Sequence, residues 1–258
     1  MQTSSTMSPS TSSEQRITLY GRNTTLEVLT NPSLEIYRVH LASTNRSSPI
    51  IQDIQALCQQ RSIPIKSHSK QALSRISKNG RQDQGVAIDI AAPQHQALGD
   101  HLDALTETEV ELIVMDNVTN PQNLGMIIRS IAASPLHGLV LPRKGCARLD
   151  PLVYKASAGC LLKARILHCD TTDEAVRTLK TAGFTLYGLD GNSPKTFAET
   201  EHSTRRAFLL GNESEGLSEI ARKAADHLIG IPMNNEVESL NVAVTAGIIA
   251  FRHVFKPA

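Results

Sequence analysis

Two regions of the chain alternate between apolar and polar positions, and each region predicts its own domain. In residues 16–92, the helix-like stretch YGRNTTLEVLTNP precedes the strand-like YRVHLAS. The segment IIQDIQALCQQRSI has apolar residues at 51, 54, 57 and 58, the spacing of an amphipathic helix, and a short strand near residues 63–65 comes next. GVAIDIA closes the region as a strand. Alternating strands and helices predict a small α/β domain.

The second region, residues 110–258, contains short apolar runs separated by helix-like segments: ELIVMD, HGLVLP, ARILHC, FTLYGLD, RAFLLG and HLIGIP. Near-continuous apolar strands predict a parallel sheet covered on both faces, and therefore a doubly wound domain. Residues 93–109 lack a strand pattern and predict a linker with a short helix. Residues 1–15 are rich in serine and threonine and predict a disordered tail.

Composition narrows the class of protein. A chain of 258 residues can bury two cores, and a formal charge of +1 gives no overall basic field. The four cysteines show no CxxC pair and no histidine at metal spacing, which predicts reduced thiols, a cytoplasmic location and no bound metal. No segment has the apolar length of a signal peptide or a membrane span. The absence of GxGxxG and GxxxxGK[ST] excludes an ordinary Rossmann dinucleotide site and a P-loop.

The loop after ELIVMD is the first of three polar loops at predicted strand ends, where doubly wound sheets bind their ligands. It leads into the helix of NPQNLGMIIRSIAA, whose apolar residues repeat at helical spacing and predict a buried stripe: Leu124, Ile127, Ile128 and Ile131. Asn123 opens this helix. Arg129 lies off the stripe, four residues after Gly125, so its guanidinium can reach back toward the loop.

The second and third polar loops follow the next apolar runs. LLGNESEGL places Gly211 at a predicted tight turn and Glu213 just after it, whereas IPMNNEVESLN places Ser239 and Asn241 at the head of the last helix. Taken singly, such residues also fit helix caps and first-turn carboxylates. The last helix carries small residues on one face, which predicts close packing either inside the domain or between subunits: Ala243, Ala246, Gly247 and Ala250.

The segments NPQNLGMIIR, LLGNESEGL and IPMNNEVESLNVAV resemble, in order and spacing, the three signature motifs of the SpoU/TrmH family of RNA ribose 2'-O-methyltransferases. This resemblance covers about residues 110–254. Residues 17–92 resemble the RNA substrate-binding domain of the subgroup that methylates ribosomal RNA. The resemblance implies a SPOUT-type methyltransferase domain with a trefoil knot, a homodimer, and S-adenosylmethionine as cofactor.

The same resemblance implies two sets of site residues in the methyltransferase domain. The catalytic set is Asn123, Arg129, Glu213, Ser239 and Asn241. The cofactor is held largely by main-chain groups at Gly211, Ile231, Met233 and Leu240. Arg129 is either the base that deprotonates the ribose or the group that holds the target phosphate. Both roles stay open, because a guanidinium with a pKa above about 12 is a poor proton acceptor.

Residues 61–82 contain six cationic side chains and no acidic one. Such a run is often a solvated helix face, but in a domain that resembles an RNA-binding module it predicts phosphate contacts. The predicted RNA-binding residues are Arg22, Asn23, Lys66, Lys70, Arg75 and Lys78. Aromatic residues make up 3% of the chain, so recognition is expected to use RNA shape and backbone more than base stacking.

The leading hypothesis is a methyltransferase for a guanosine of large-subunit (23S) ribosomal RNA. Three alternatives stay open: a transfer-RNA ribose methyltransferase, an antibiotic-resistance methyltransferase acting on a ribosomal adenosine, and a catalytically silent RNA-binding or assembly factor. The N-terminal domain favours ribosomal RNA, and the complete set of five catalytic residues argues against a silent protein.

Overall fold

The computed structural model describes residues 16–91, 96–197 and 203–254. It divides the chain into two compact units, residues 1–93 and 94–258. The predicted disordered tail, residues 1–15, lies outside the described residues. Among the described helices, none combines the length and the hydropathy needed to cross a bilayer. In the same residues, no three His, Cys, Asp and Glu side chains come together as a metal site.

The first unit is a four-stranded sheet with helices, in the strand order β1-β4-β2-β3. Its elements are β1 (Arg16–Tyr20), α1 (Arg22–Thr30), β2 (Ile36–Ala42), α2 (Pro49–Gln60), β3 (Ile65–His68), α3 (Lys70–Ser77) and β4 (Val86–Ala91). Strand β4 pairs antiparallel with β1 and β2, and β3 pairs parallel with β2. The predicted amphipathic helix is α2, which buries Ile51, Ile54 and Cys58. The unit therefore has the predicted α/β character.

Strand β3 begins later than the sequence pattern indicated. We expected a strand near residues 63–65, but the paired residues are Ile65 to His68. This strand lies at the edge of the sheet, and its side chains are mostly exposed. An edge strand of this kind needs no run of apolar residues, so hydrophobicity did not locate it.

The second unit is a parallel sheet with the strand order β11-β9-β10-β6-β7-β8-β5 in the described residues. Its strands are β5 (Gln96–Ala97), β6 (Val110–Met115), β7 (Gly138–Pro142), β8 (Ile166–Cys169), β9 (Thr185–Leu189), β10 (Arg205–Leu210) and β11 (His227–Ile229). Its helices are α4 (Leu98–Asp103), α5 (Pro121–Ala132), α6 (Pro151–Ala156), α7 (Thr172–Thr181), α8 (Glu219–Ala224) and α9 (Val242–Phe251), with a 3-10 turn at Cys160–Leu162.

All strand pairs of this sheet are parallel, as predicted. Helix α7 packs with α4 and α8, and α5 packs with α6 and α9. The central strands are buried between helices, so their side chains are apolar on both faces. The predicted α/β class with a parallel sheet is confirmed. The trefoil knot implied by the resemblance stays a prediction.

The expectation of no strand in residues 93–109 is wrong. Gln96 and Ala97 pair parallel with β8 at the edge of the sheet, and the side chain of Leu98 is buried. A two-residue strand made of a polar and a small residue leaves no hydrophobic pattern to detect. The predicted short helix is present as α4.

The small face of α9 packs inside the unit. Ala243, Ala246 and Ala250 are buried, and a Cβ added to Gly247 would lie 3.9 Å from Oγ of Ser130 on α5. Small residues at these positions let α9 approach α5 closely. The opposite side of the helix is apolar and open, with Val244 52% and Ile248 37% exposed. Of the two packing modes predicted for the small face of α9, inside the domain or between subunits, the structure shows packing inside the domain.

Candidate active site

The three polar loops predicted from the sequence meet at one edge of the parallel sheet. Residues 116–120 follow β6, residues 211–218 follow β10, and residues 230–241 follow β11. Strands β11, β9, β10 and β6 are consecutive neighbours and run parallel, so their carboxyl ends lie at the same edge. This edge is where open α/β sheets bind ligands.

Asn123 is held in the first turn of α5 by local capping. Asn120 is the N-cap, and its Oδ1 accepts hydrogen bonds from N of Gln122 at 2.8 Å and N of Asn123 at 3.3 Å. Pro121 at the start of the helix supplies a backbone angle suited to this position. The apolar stripe predicted for this helix is buried, which fixes the orientation of its polar face. Asn123 itself is 7% exposed.

Glu213 lies on a tight turn between β10 and α8. N of Asn212 donates to O of Gly216 and N of Gly216 donates to O of Asn212, both at 2.9 Å. A Cβ at Gly211 would lie 2.2 Å from the carbonyl of Gly216, so the chain can close here because Gly211 has no side chain. Helix α8 is capped by Ser218, five positions after Glu213. Glu213 is therefore not a first-turn carboxylate.

Asn241 joins the other two residues from the third loop. It is the N-cap of α9, and its Oδ1 accepts a hydrogen bond of 2.8 Å from N of Ala243. Its Nδ2 donates to Oδ1 of Asn123 at 3.1 Å. In turn, Nδ2 of Asn123 donates to Oε1 of Glu213. Three side chains from three loops thus form one hydrogen-bonded chain that ends at a carboxylate.

Arg129 and Ser239 stand apart from this chain. Arg129 is exposed on α5, and its guanidinium has no hydrogen-bond partner among the described residues. Ser239 is also exposed, two residues before the cap of α9. The structure therefore brings three of the five predicted catalytic residues into direct contact. The roles of all five stay predictions.

Asp116 anchors two of the loops, and we did not single it out from the sequence. Its carboxylate is fully buried and accepts hydrogen bonds from Oγ1 of Thr172 at 3.0 Å and N of Ser218 at 2.6 Å. These bonds tie the end of β6 to the starts of α7 and α8. An acidic residue directly after an apolar strand was the available signal.

A fourth loop, residues 190–195 after β9, supports the segment 230–241, and sequence reasoning missed it as well. N of Gly230 donates to O of Lys195 at 2.7 Å, and a Cβ at Gly230 would lie 2.7 Å from O of Ser193. Burial alone would raise the pKa of Asp190, but hydrogen bonds from N of Asn192 and from Arg222 outweigh it and lower that pKa. Asp190 is thus held as a charged partner of Arg222, at 2.6 Å. The Gly, Asp and Asn residues of LDGNS were the missed signal.

The predicted cofactor residues lie along this supported segment. Ile231 and Met233 are half-buried, and Leu240 is 36% exposed. Among the main-chain groups of residues 231–240, one hydrogen bond forms within the described part of the chain, from N of Val237 to O of Asn234 at 3.2 Å. The other main-chain groups of the segment form no hydrogen bond with the described residues. This donor and acceptor set fits a cofactor that is bound mainly through the backbone.

The predicted RNA-binding residues lie in the first unit and differ in their exposure and in the hydrogen bonds they already form. Lys66 on β3 and Lys70 and Arg75 on α3 are exposed, as are Asn23 and Lys78. Arg22 is half-buried, and its guanidinium already donates to O of Gln84 at 3.2 Å and to Oδ1 of Asn45 at 3.3 Å. A groove lies between α3 and the following loop, lined by Lys70, Gln71, Ser74, Arg75, Gly80 and Arg81.

Comparison with known proteins decides the family. The model of the SpoU rRNA Methylase family matches residues 111–251, which contain all three loops. The chain belongs to this family. A second model, RNA 2'-O ribose methyltransferase substrate binding, matches residues 18–96. The family, the methyltransferase class and the substrate-binding unit expected from the sequence are confirmed.

Similar proteins match over most of the chain. An uncharacterized tRNA/rRNA methyltransferase of Mycolicibacterium gilvum is 31% identical over 89% of this chain and 73% of its own. The SpoU methyltransferase AviRb from Streptomyces viridochromogenes, solved in complex with the cofactor AdoMet, has a TM-score of 0.74 at 20% identity and covers 94% of this chain and 92% of its own. An AdoMet-bound rRNA methyltransferase from Sinorhizobium meliloti has a TM-score of 0.72 at 21% identity, with 93% and 88% covered. These two structures share the fold of this chain.

Proposed function

We propose that the protein is an S-adenosylmethionine-dependent RNA ribose 2'-O-methyltransferase that acts on a guanosine of 23S ribosomal RNA. The observation that carries this proposal is the hydrogen-bonded chain of Asn241, Asn123 and Glu213. It joins one residue from each of the three family motifs at the ligand-binding edge of the sheet. The two AdoMet-bound neighbours, which share the fold, support the choice of cofactor.

The cofactor would lie against residues 230–241 and the turn after β10. Main-chain groups at Gly211, Ile231, Met233 and Leu240 would hold it. When bound, S-adenosylmethionine supplies a methyl group on a positively charged sulfur. Loop 190–195 keeps the segment in place through the bond between Gly230 and Lys195, so the binding surface is preorganised.

The chain of three side chains orients the ribose and accepts its proton. Amide side chains donate and accept hydrogen bonds but do not take up protons at neutral pH, so Asn123 and Asn241 are positioning groups. Glu213 is the member that can accept a proton from the attacking 2'-hydroxyl. The guanidinium of the exposed Arg129 binds the phosphate next to the target ribose. Ser239, two residues before the cap of α9, donates to the ribose or the cofactor.

Ribosomal RNA is the substrate favoured over transfer RNA. The first unit matches a substrate-binding model and presents a basic groove beside α3. A neighbour that matches both units is described as an rRNA methyltransferase. We assign the activity to the cytoplasm, where this RNA is made.

A homodimer is part of the proposal. Met126 on α5 and Val244 and Ile248 on α9 are exposed apolar residues on two helices that pack together. A second copy of the chain would cover them and remove their apolar surface from water. Sedimentation of the full chain is expected to give a dimer, and a strict monomer at all concentrations would contradict this.

Titration calorimetry with S-adenosylmethionine tests the cofactor site. The wild type is expected to bind saturably, and the double variant Leu240→Arg, Asn241→Ala is expected to lose binding. Leu152→Arg is the matched control, because Leu152 is an exposed leucine on α6 with 41% exposure. If the wild type binds no cofactor either alone or with ribosomal RNA present, the proposed function is wrong.

A further inference from the structure

The loop between β7 and α6, residues 143–150, adds a charged surface that lies outside the three signature motifs. Its backbone is tied to the loops on both sides. N of Arg143 donates to O of Cys169 at 2.9 Å, and N of Lys144 donates to O of Asp170 at 3.0 Å. On the other side, N of Ala147 donates to O of Val118 at 2.9 Å. The loop therefore lies at the same edge of the sheet as the candidate active site.

A close fit with Asn117 fixes this loop relative to Glu213. Gly145 has a φ of 86°, and a Cβ there would lie 2.3 Å from Oδ1 of Asn117. O of Asn117 accepts a hydrogen bond of 3.0 Å from Nδ2 of Asn212, the residue before Glu213. Two steps of direct contact thus connect the cationic loop to the turn that carries Glu213.

The cations of this loop are available to a ligand. Arg143, Lys144 and Arg148 are exposed, and in the described part of the chain their charged groups form no ion pair or hydrogen bond. The acid of the loop, Asp150, is used as the N-cap of α6, where it accepts from N of Leu152 at 2.9 Å and N of Val153 at 3.0 Å. Two exposed acids lie near Lys144: Asp170 on the neighbouring loop and Glu174, whose carboxylate accepts from N of Asp170 at 2.7 Å.

The carboxylates on the turn after β10 repel the phosphates of an RNA strand. Glu213 and Glu215 are both exposed there, and the target ribose carries a phosphate on each side. Arg129 is proposed to hold one of these phosphates, and further cations on a neighbouring loop would offset the remaining repulsion of the strand. We propose that Arg143, Lys144 and Arg148 bind the phosphates of the RNA strand that flank the target nucleotide. This inference rests on the proposed function and adds phosphate contacts to those proposed for Arg129 and for the first unit.

RNA binding measured at several salt concentrations tests the site. The triple variant Arg143→Gln, Lys144→Gln, Arg148→Gln is compared with Arg177→Gln, Lys180→Gln, Lys223→Gln, which removes the same charge from exposed cations elsewhere on the unit. The probe is 23S rRNA transcribed in vitro. We expect the loop variant to bind it at least about tenfold more weakly at low salt, with the slope of log K against log salt smaller by about 2.

Two further measurements make the test specific. Cofactor binding is expected to be the same in the loop variant as in the wild type, and a variant with Arg143→Lys and Arg148→Lys is expected to recover the salt slope. Equal affinities and slopes in the two triple variants, with the wild type methylating RNA, would overturn the role of the loop alone. A wild type that binds no RNA at either low or high salt would overturn both the loop and the proposed function.

Discussion

Nδ2 of Asn241 donates a hydrogen bond of 3.1 Å to Oδ1 of Asn123, a residue 118 positions away in the sequence. The same side chain caps α9 through its Oδ1. Asn241 therefore makes two separable contacts, one that caps α9 and one that holds Asn123. The amide oxygen Oδ1 caps the helix, and the amide nitrogen Nδ2 donates to Asn123.

Substitutions at Asn241 can separate its two contacts. Asn241→Ala removes the cap and the bond to Asn123, so we expect a loss of about 1 kcal/mol of stability and a large loss of methyl transfer. Asn241→Asp keeps a capping oxygen but cannot donate to Asn123. It is expected to melt close to the wild type and to transfer methyl groups at least about tenfold more slowly, as for other lost positioning bonds. Wild-type turnover in Asn241→Asp would show that the bond to Asn123 is dispensable.

Glu213 is expected to set the rate of the chemical step. Glu213→Gln retains an oxygen that can accept from Asn123 but cannot take up a proton, so single-turnover methyl transfer is expected to fall by about a hundredfold or more. Cofactor binding, measured by calorimetry, is expected to stay within a few-fold. Glu215→Gln on the same turn is the control. If both variants react at the wild-type rate, Glu213 is not the proton acceptor.

We expect any side chain at Gly211, the first residue of the turn after β10, to destabilise the protein. A Cβ at Gly211 would overlap the carbonyl of Gly216 at 2.2 Å, so Gly211→Ala is expected to cost about 2 kcal/mol or more and to weaken cofactor binding. Gly99→Ala is the control, since a Cβ there meets nothing within 4 Å. Chemical denaturation of both variants checks the difference. Equal stabilities would mean that the turn adapts without strain.

We expect acid to lower the free energy of unfolding of the first unit, because this unit contains a pair of contacting histidines. A contact of 2.9 Å joins Nδ1 of His40 to Nε2 of His68, and Nε2 of His40 lies 3.1 Å from the carboxylate of Asp89. Burial, His40 and Lys66 lower the pKa of His68. The unfolded chain, whose histidines titrate near about 6.5, then binds more protons than the folded one, so stability falls as the pH drops below about 6.5.

Denaturation at several pH values checks this expectation. His68→Gln should flatten the dependence of unfolding free energy on pH between about 7.5 and 5, the range in which histidine titrates. His227→Gln, at an exposed histidine in the second unit, serves as the control for losing a histidine outside the pair. Identical slopes for the wild type and His68→Gln would contradict the proposed linkage.

The groove beside α3 is expected to bind RNA phosphates. Lys70 and Arg75 line this groove, and Lys78 lies at the end of α3. Neutralising these three cations should weaken RNA binding and reduce its salt dependence, because fewer counterions are released when fewer phosphates are contacted. Arg61 makes a useful contrast, since its guanidinium donates to O of Leu29 at 2.7 Å and O of Asn31 at 3.0 Å. Arg61→Ala should lower stability instead of the salt slope. An unchanged slope in the groove variant would argue against phosphate contacts there.

Much of the fold could be predicted because its main signals are local. Buried parallel strands are apolar on both faces, and α5 shows its stripe at Leu124, Ile127 and Ile128. The strand at Gln96–Ala97 and the position of β3 were missed because edge strands need no apolar pattern. Hydrophobic periodicity reveals buried residues, whereas the side chains of Gln96–Ala97 and most of those of Ile65–His68 are exposed.

The sequence named three residues that the structure brings into contact, but not the hydrogen bonds that connect them. The motifs named Asn123, Glu213 and Asn241, but the direction of their hydrogen bonds depends on how three loops meet. Asp116 and Gly230 were missed because their roles arise from contacts with residues distant in the sequence. Arg22 was predicted to bind RNA, but its guanidinium already donates hydrogen bonds to Gln84 and Asn45 within the protein.

Nucleoside analysis of modified RNA is the most direct test of ribose methylation. Unmethylated 23S ribosomal RNA and transfer RNA are incubated with the protein and isotope-labelled S-adenosylmethionine, then digested and analysed by mass spectrometry. We predict labelled 2'-O-methylguanosine from the 23S RNA, and about a hundredfold less or lower still at equal incubation time when Glu213→Gln replaces the wild type. A label on a base, or a label in neither RNA, would contradict the proposed function.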